Sequence, residues 1–183
     1  MPSYPREELD EMVRRWLDEN KRCEELGDWR PLADMYTEHA TYGWNMGPDQ
    51  DFMAVGREEI REIALGQEMA GLEGWTYPYQ SIVIDDRSGE VIGFWKQIAA
   101  ATRPDGSHYE VPGIGGSWFR YGGDWQWNWQ RDFFDLGNAA AVFQEMIAND
   151  ALSDGMKMRI DRAVSGEPLP GYFPRGKAPV PIW

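Results

Sequence analysis

The chain has 183 residues, enough for one domain, and its ten Trp, eight Tyr and seven Phe carry more apolar area than a disordered chain leaves in water. A formal net charge of -13, with no Lys/Arg cluster to offset it, repels a phosphate backbone over most of the surface and disfavours nucleic acid as a partner. Cys23 stands alone, which removes a disulfide framework and Cys-rich metal sites, and the sequence has no long apolar run or apolar leader after Met1, so a cytoplasmic protein without a membrane partner is expected.

Arg6-Glu7-Glu8 after Pro5 starts a first predicted helix, whose apolar positions Leu9, Met12, Val13, Trp16 and Leu17 recur at helical spacing as far as Cys23 and Leu26. Gly27 stops it, and Asp28 is placed to cap a second short helix from Trp29 to Tyr36. Alternation in Ala40-Thr41-Tyr42-Gly43-Trp44-Asn45 predicts a first strand, Gly47-Pro48-Asp49 breaks it, and Phe52 to Gly56 leads into a third helix from Arg57 to about Met69. The period then changes. Gln80 to Asp85, Val91 to Thr102, Tyr109 to Tyr121 and Asp124 to Asp135 read as strands, and the short turns between them imply an antiparallel meander. Gly113, Gly115 and Gly116, inside a strand pattern, mark where the sheet bends.

A fourth helix is predicted from about Ala139 to Val164, with a break near Ser153-Asp154-Gly155. Five Pro bar the tail, Glu167 to Trp183, from helix and from any central strand, while Tyr172, Phe173 and Trp183 imply that it docks on its own domain or on a partner subunit. The fold class is therefore α+β: a cone-shaped, curved antiparallel sheet packed against three N-terminal helices over residues 1–136, with residues 137–183 forming a C-terminal helix and Pro-rich tail.

Three stretches carry a family resemblance: Gly27-Asp28-Trp29-Arg30-Pro31-Leu32-Ala33-Asp34-Met35-Tyr36 leading into Ala40-Thr41-Tyr42, then Val55-Gly56-Arg57-Glu58-Glu59-Ile60, then Arg131-Asp132-Phe133-Phe134-Asp135. In this order and spacing they resemble the nuclear transport factor 2-like superfamily, in particular its SnoaL-like polyketide cyclase branch, over roughly residues 8 to 136. The superfamily includes ketosteroid isomerases, polyketide cyclases, epoxide hydrolases, formaldehyde-releasing lyases and binding domains, so the fold alone does not name a reaction. The isomerase pattern wants acids where this chain has Trp44-Asn45 and Ser117, and the epoxide hydrolase pattern matches Arg131-Asp132 but not Phe94-Trp95-Lys96-Gln97-Ile98.

Side chains alternate along a strand, so Asn128, Gln130 and Asp132 share one face and Trp127, Trp129, Arg131 and Phe133 the other. The resemblance implies that the Asp132 face lines the pocket. There a desolvated carboxylate is a usable general acid or base, or else it pairs with a neighbouring Arg. Tyr42, Lys96 and His108 complete the catalytic candidates, although an edge-strand place for Lys96 and the turn beside His108 favour solvent for both. Trp44, Asn45, Trp95 and Trp118 join Asn128 and Gln130 as substrate-binding candidates, the alternative being core or subunit contacts. Two isolated His and a Gly113-Ile114-Gly115-Gly116 run inside a strand give neither a metal site nor a dinucleotide loop, and no cofactor is expected.

The resemblance then implies a cofactor-independent lyase or isomerase acting by acid/base chemistry on a small hydrophobic aromatic substrate, in its most specific form a formaldehyde-eliminating cleavage of a lignin-derived diaryl compound. A non-catalytic binding module of the same fold is the alternative. Trp127, Trp129 and Phe133, side by side on the outer face, imply a homodimer.

Overall fold

The computed structural model describes residues 4–183. Helix α1, Arg6–Leu26, buries Leu9, Met12, Trp16, Asn20 and Cys23 along one stripe, and Gly27 ends it in the left-handed conformation (φ 65°). The second helix is a single 3-10 segment, Arg30–Met35, opened by the Asp28 carboxylate accepting from the Arg30 N–H at 3.1 Å. Tyr36 already belongs to strand β1, Tyr36–Met46, which starts four residues before the predicted strand.

Strand β2, Gln50–Val55, is an element that sequence patterning does not reveal. Four consecutive residues, Asp51 to Ala54, are buried in it, so it lies covered on both faces and shows no alternation. It pairs antiparallel with β1 across the Gly47-Pro48-Asp49 turn. The third helix begins as one α-turn, α2, Arg57–Glu59, and continues as a π-helix, Ile60–Gln67, with Ile60, Ala64 and Leu65 inward.

Strands β3 (Tyr79–Asp85), β4 (Glu90–Thr102), β5 (His108–Gly123) and β6 (Gln126–Phe133) follow the predicted meander closely. The whole sheet, however, is mixed rather than antiparallel. It runs β3-β4-β5-β6-β1-β2-β7, and β6 lies parallel to β1, because the chain has crossed the entire fold before it returns beside its first strand. The bend falls where the glycines lie: between Trp95↔Gly115 and Gln97↔Val111 the β5 side carries extra residues, and Gly113 adopts φ 103°.

A second bulge corrects the expected faces of β6. Arg120 pairs with Trp129 and Tyr121 with Trp127, so Asn128 is the extra residue of a bulge. Upstream of it the alternation inverts. Trp127 is fully buried in the core, stacked on Phe119 at 4.7 Å and edge-on to Trp16, while Asn128 is exposed. The expected outer patch thus loses its central member; Trp129 is half-buried and Phe133 exposed there.

The predicted fourth helix is two: α3, Leu136–Ala148, and α4, Asp154–Val164, the break falling at Asn149 to Leu152 with Ser153 capping α4 through its hydroxyl. Val142, Met146 and Met156 pack with Leu72, Trp75, Ala99 and Tyr109 in a second, smaller core beyond the cone. The tail adds a three-residue edge strand, β7, Tyr172–Pro174, against β2. It then crosses the outer face of its own sheet, where Arg131 Nε donates to the Ile182 carbonyl at 2.9 Å and Nη2 to that of Pro181 at 3.1 Å. Arg131 is 3% exposed, and burial pulls its guanidinium down to about 10. Deleting residues 179–183 should therefore cost about 1–3 kcal/mol by leaving these donors unmatched, read as a lower denaturation midpoint with an unchanged cavity. Among the described residues no helix is long and apolar enough to cross a membrane.

Candidate functional site

The concave face of the sheet and the helices across it enclose a cavity of ≈ 590 Å³. Trp16 of α1, Trp29 and Leu32 beside the 3-10 helix, Tyr36, Tyr42 and Trp44 of β1, Ala64 and Leu65 of the π-helix, and Tyr77, Tyr79 and Trp95 wall it. Phe143 and Ile147 of α3 and Ile160 of α4 close its open end. A cavity of this size, lined by flat rings and few polar groups, matches a small hydrophobic molecule.

Two carboxyls line the cavity, Glu68 at its α4 end and Asp132 among the rings. Asp132 follows Gln130 on the inner face of β6, opposite Ser117 of β5, because both lie beyond the bulge where strict alternation resumes. Its Oδ2 accepts from the Tyr42 hydroxyl and its Oδ1 from Gln130 Nε2 at 2.8 Å. Gln130 is itself held at every polar atom: Oε1 accepts from the Tyr36 hydroxyl, and Nε2 also donates to Ser117 Oγ at 3.3 Å. Ser117 Oγ accepts in addition from Trp95 Nε1 at 3.0 Å, and Tyr79 Oη accepts from Trp16 Nε1 at 2.9 Å. The carboxyl thus sits at the end of an oriented network that leaves it little freedom to turn.

Burial raises the Asp132 carboxyl above the ordinary aspartate value, and the hydrogen bonds from Gln130, Tyr42 and Ser117, with the nearby Arg131 charge, hold the rise back. The Tyr42 phenol goes well up, through burial first and the Asp132 charge second, and Tyr36 follows for the same two reasons. Both phenols therefore keep their protons and act as donors. Asp132 is the group poised to exchange one.

The cavity brings together Asp132, Tyr42, Trp44 and Trp95 of the predicted residues, with Gln130 directly behind them. Four others lie elsewhere. Lys96 points outward from β4 and pairs with Glu110 at 2.9 Å, both half-exposed. His108 is exposed at the start of β5, with Nδ1 3.0 Å from the Ala99 carbonyl oxygen. Asn45 alternates away from Trp44 and donates to Asp51 at 2.8 Å. Trp118 is on the outer face, edge-on to Trp129 at 5.3 Å and packed on Trp183. Asn128, displaced by the bulge, is the fifth correction.

Tyr36, Tyr77 and Tyr79 line the cavity without being among the sequence-predicted candidates, and Ser117, noted in the sequence only for lacking the isomerase acid, lines it too. The signal was present in Thr76-Tyr77-Pro78-Tyr79, where two Tyr two apart flank a Pro, an arrangement that sends both rings to one side of an extended chain. Gly115 completes the wall: a Cβ there would stand 2.5 Å from the Trp95 ring, so only glycine lets that indole lie flat across β5.

No protein-family model matches the sequence, and no curated protein matches it. The structure does match solved ones. It is similar to a nuclear transport factor 2-like protein from Anabaena variabilis (17% identity, TM-score 0.54, covering 74% of this chain and 95% of that one). It is also similar to a putative polyketide cyclase from Xanthomonas campestris (17% identity, TM-score 0.51, 74% and 96%) and to SalBIII, an epoxide hydrolase/cyclase-like enzyme of pyran ring formation (17% identity, TM-score 0.53, 72% and 94%). At these identities the likeness establishes the fold, and it is the cone-shaped architecture that the three sequence stretches imply.

Proposed function

We propose that this chain, with its nuclear transport factor 2-like fold, is a cofactor-independent lyase or isomerase that moves a proton on a hydrophobic aromatic small molecule, with Asp132 as the base. The supporting observation is the Asp132 carboxyl, raised by burial and oriented by Tyr42 and Gln130, set in a wall of aromatic rings. Three hydrogen bonds from Gln130, Tyr42 and Ser117 leave the carboxylate one lone pair for a substrate proton. Water is scarce among those rings, so a proton taken by Asp132 is held in the site and can be returned to the same molecule.

The most specific version is a formaldehyde elimination from a diaryl compound. Asp132 takes the proton of a primary hydroxyl, the bond between that carbon and its aryl-bearing neighbour breaks, and formaldehyde leaves. The electron pair forms a double bond to the adjacent aryl-bearing carbon as its hydroxyl departs, and the proton from Asp132 completes a molecule of water. Atoms and charges balance without a redox partner. Chelator-treated protein, incubated with a panel of monoaryl and diaryl alcohols and ketones, should convert at least one of them without added cofactor. Binding without conversion across the panel would favour a binding module instead.

A further inference from the structure

The polar groups of the cavity are not all at Asp132. Where the C-terminal helices close over the cone, Glu68, 5% exposed, meets Arg159 and Arg162 of α4 and Tyr172 of β7. Tyr172 Oη donates to Glu68 Oε2 at 2.7 Å and Gln67 Nε2 donates to Oε1 at 3.0 Å. The guanidiniums stand farther off, Arg159 Nη2 at 3.5 Å and Arg162 Nη2 at 3.8 Å, and spend other donors on main-chain carbonyls: Arg159 on that of Glu68, Arg162 on that of Gln67 at 2.9 Å. Arg162 Nε is buried with no hydrogen-bond partner among the described residues.

Two cations thus share one carboxylate, which also accepts from two neutral donors, and one guanidinium N–H is unmatched. A surplus positive charge beside apolar surface, with an unmet N–H, is complementary to an anion with at least two acceptor oxygens. Apart from this cluster, Asp132 is the only charged lining residue of the cavity among the described residues. At a net charge of -13 the surface repels an acidic ligand, so only a local cationic site such as this one could hold it.

We propose that the substrate is an aryl carboxylic acid, its carboxylate held by Arg162 and Arg159 at the α4 end of the cavity while its reacting end reaches Asp132. The proposal rests on the proton-transfer reading of the cavity for the second half of that statement; the first half is tested by binding alone.

The test is calorimetric titration at neutral pH with biphenyl-4-carboxylate and its neutral isostere biphenyl-4-carboxamide. Wild-type protein should bind the acid about tenfold or more tightly than the amide, a preference that falls with added salt. Arg162→Met should abolish most of the preference while it leaves amide affinity unchanged, and Arg159→Met should reduce it. Arg162→Lys should restore part of it, as a point charge without the planar fork. In Asp132→Asn the preference should persist, so an inert catalyst and an absent anion site give different results. Equal affinity for acid and amide, no binding of the acid, or a preference that survives Arg159→Met with Arg162→Met would overturn the proposal. The wild-type comparison needs no variant to fold.

Discussion

Asp132→Asn should lower turnover about 100- to 10,000-fold while the protein stays folded and still binds its ligand. The amide is isosteric and can satisfy the network, its oxygen accepting from Gln130 and its NH₂ donating to the Tyr42 oxygen, but it cannot take a proton. Tyr42→Phe should do less, since it removes a donor that orients the carboxyl and leaves the base in place. Stability gives an independent sign. A carboxyl whose folded value is raised favours the folded state while protonated, and that contribution is lost as pH rises from the unfolded value through the folded one. Asp132→Asn is free of this loss, so its melting temperature relative to wild type should climb across that window. Unchanged turnover in Asp132→Asn would remove Asp132 from the mechanism.

The largest loss of stability should come from Trp127→Ala, about 3–5 kcal/mol by denaturant unfolding. Trp127 is fully buried, stacked on Phe119 and in edge contact with Trp16 and Tyr121, so truncation opens a large void at the narrow end of the cone. Trp16 also walls the cavity and donates to Tyr79, which ties this packing to the site. Trp127→Phe should cost only about 1–2 kcal/mol, because the indole N–H makes no hydrogen bond and its loss leaves nothing unsatisfied. A Trp127→Ala variant as stable as wild type would place that side chain on the outer face, where simple alternation puts it.

Helix α1, the meander β3 to β6 and the glycine bend were legible because each is a local pattern: a 3.6 period, a period of two, a turn signal. Asp132 and Tyr42 were legible for a second reason, since the stretches containing them resemble a fold in which those positions face inward. The misses share one cause. Strand β2 is buried on both faces and so has no period, and the pairing of β6 with β1 joins residues some ninety apart, as in Tyr42↔Gln130. The bulge at Asn128 is visible only in the pairing of two strands, and it alone decides that Trp127 is core and Asn128 solvent. Lys96, His108 and Asn45 were plausible by chemical type, but one step of alternation or one turn puts each outside the cavity. Arg159 and Arg162 lie on a helix whose closing role depends on a break no periodicity locates to the residue.

Burial in an apolar cavity should show in the titration of the Asp132 carboxyl itself. Carbon-13 NMR of aspartate-labelled protein, with the Asp132 resonance assigned by its absence in Asp132→Asn, should show a midpoint above the ordinary aspartate value of about 3.9. Tyr42→Phe should move it higher still, since a hydrogen bond to the charged form is lost. A midpoint at or below the ordinary value, or one that falls in Tyr42→Phe, would contradict the account.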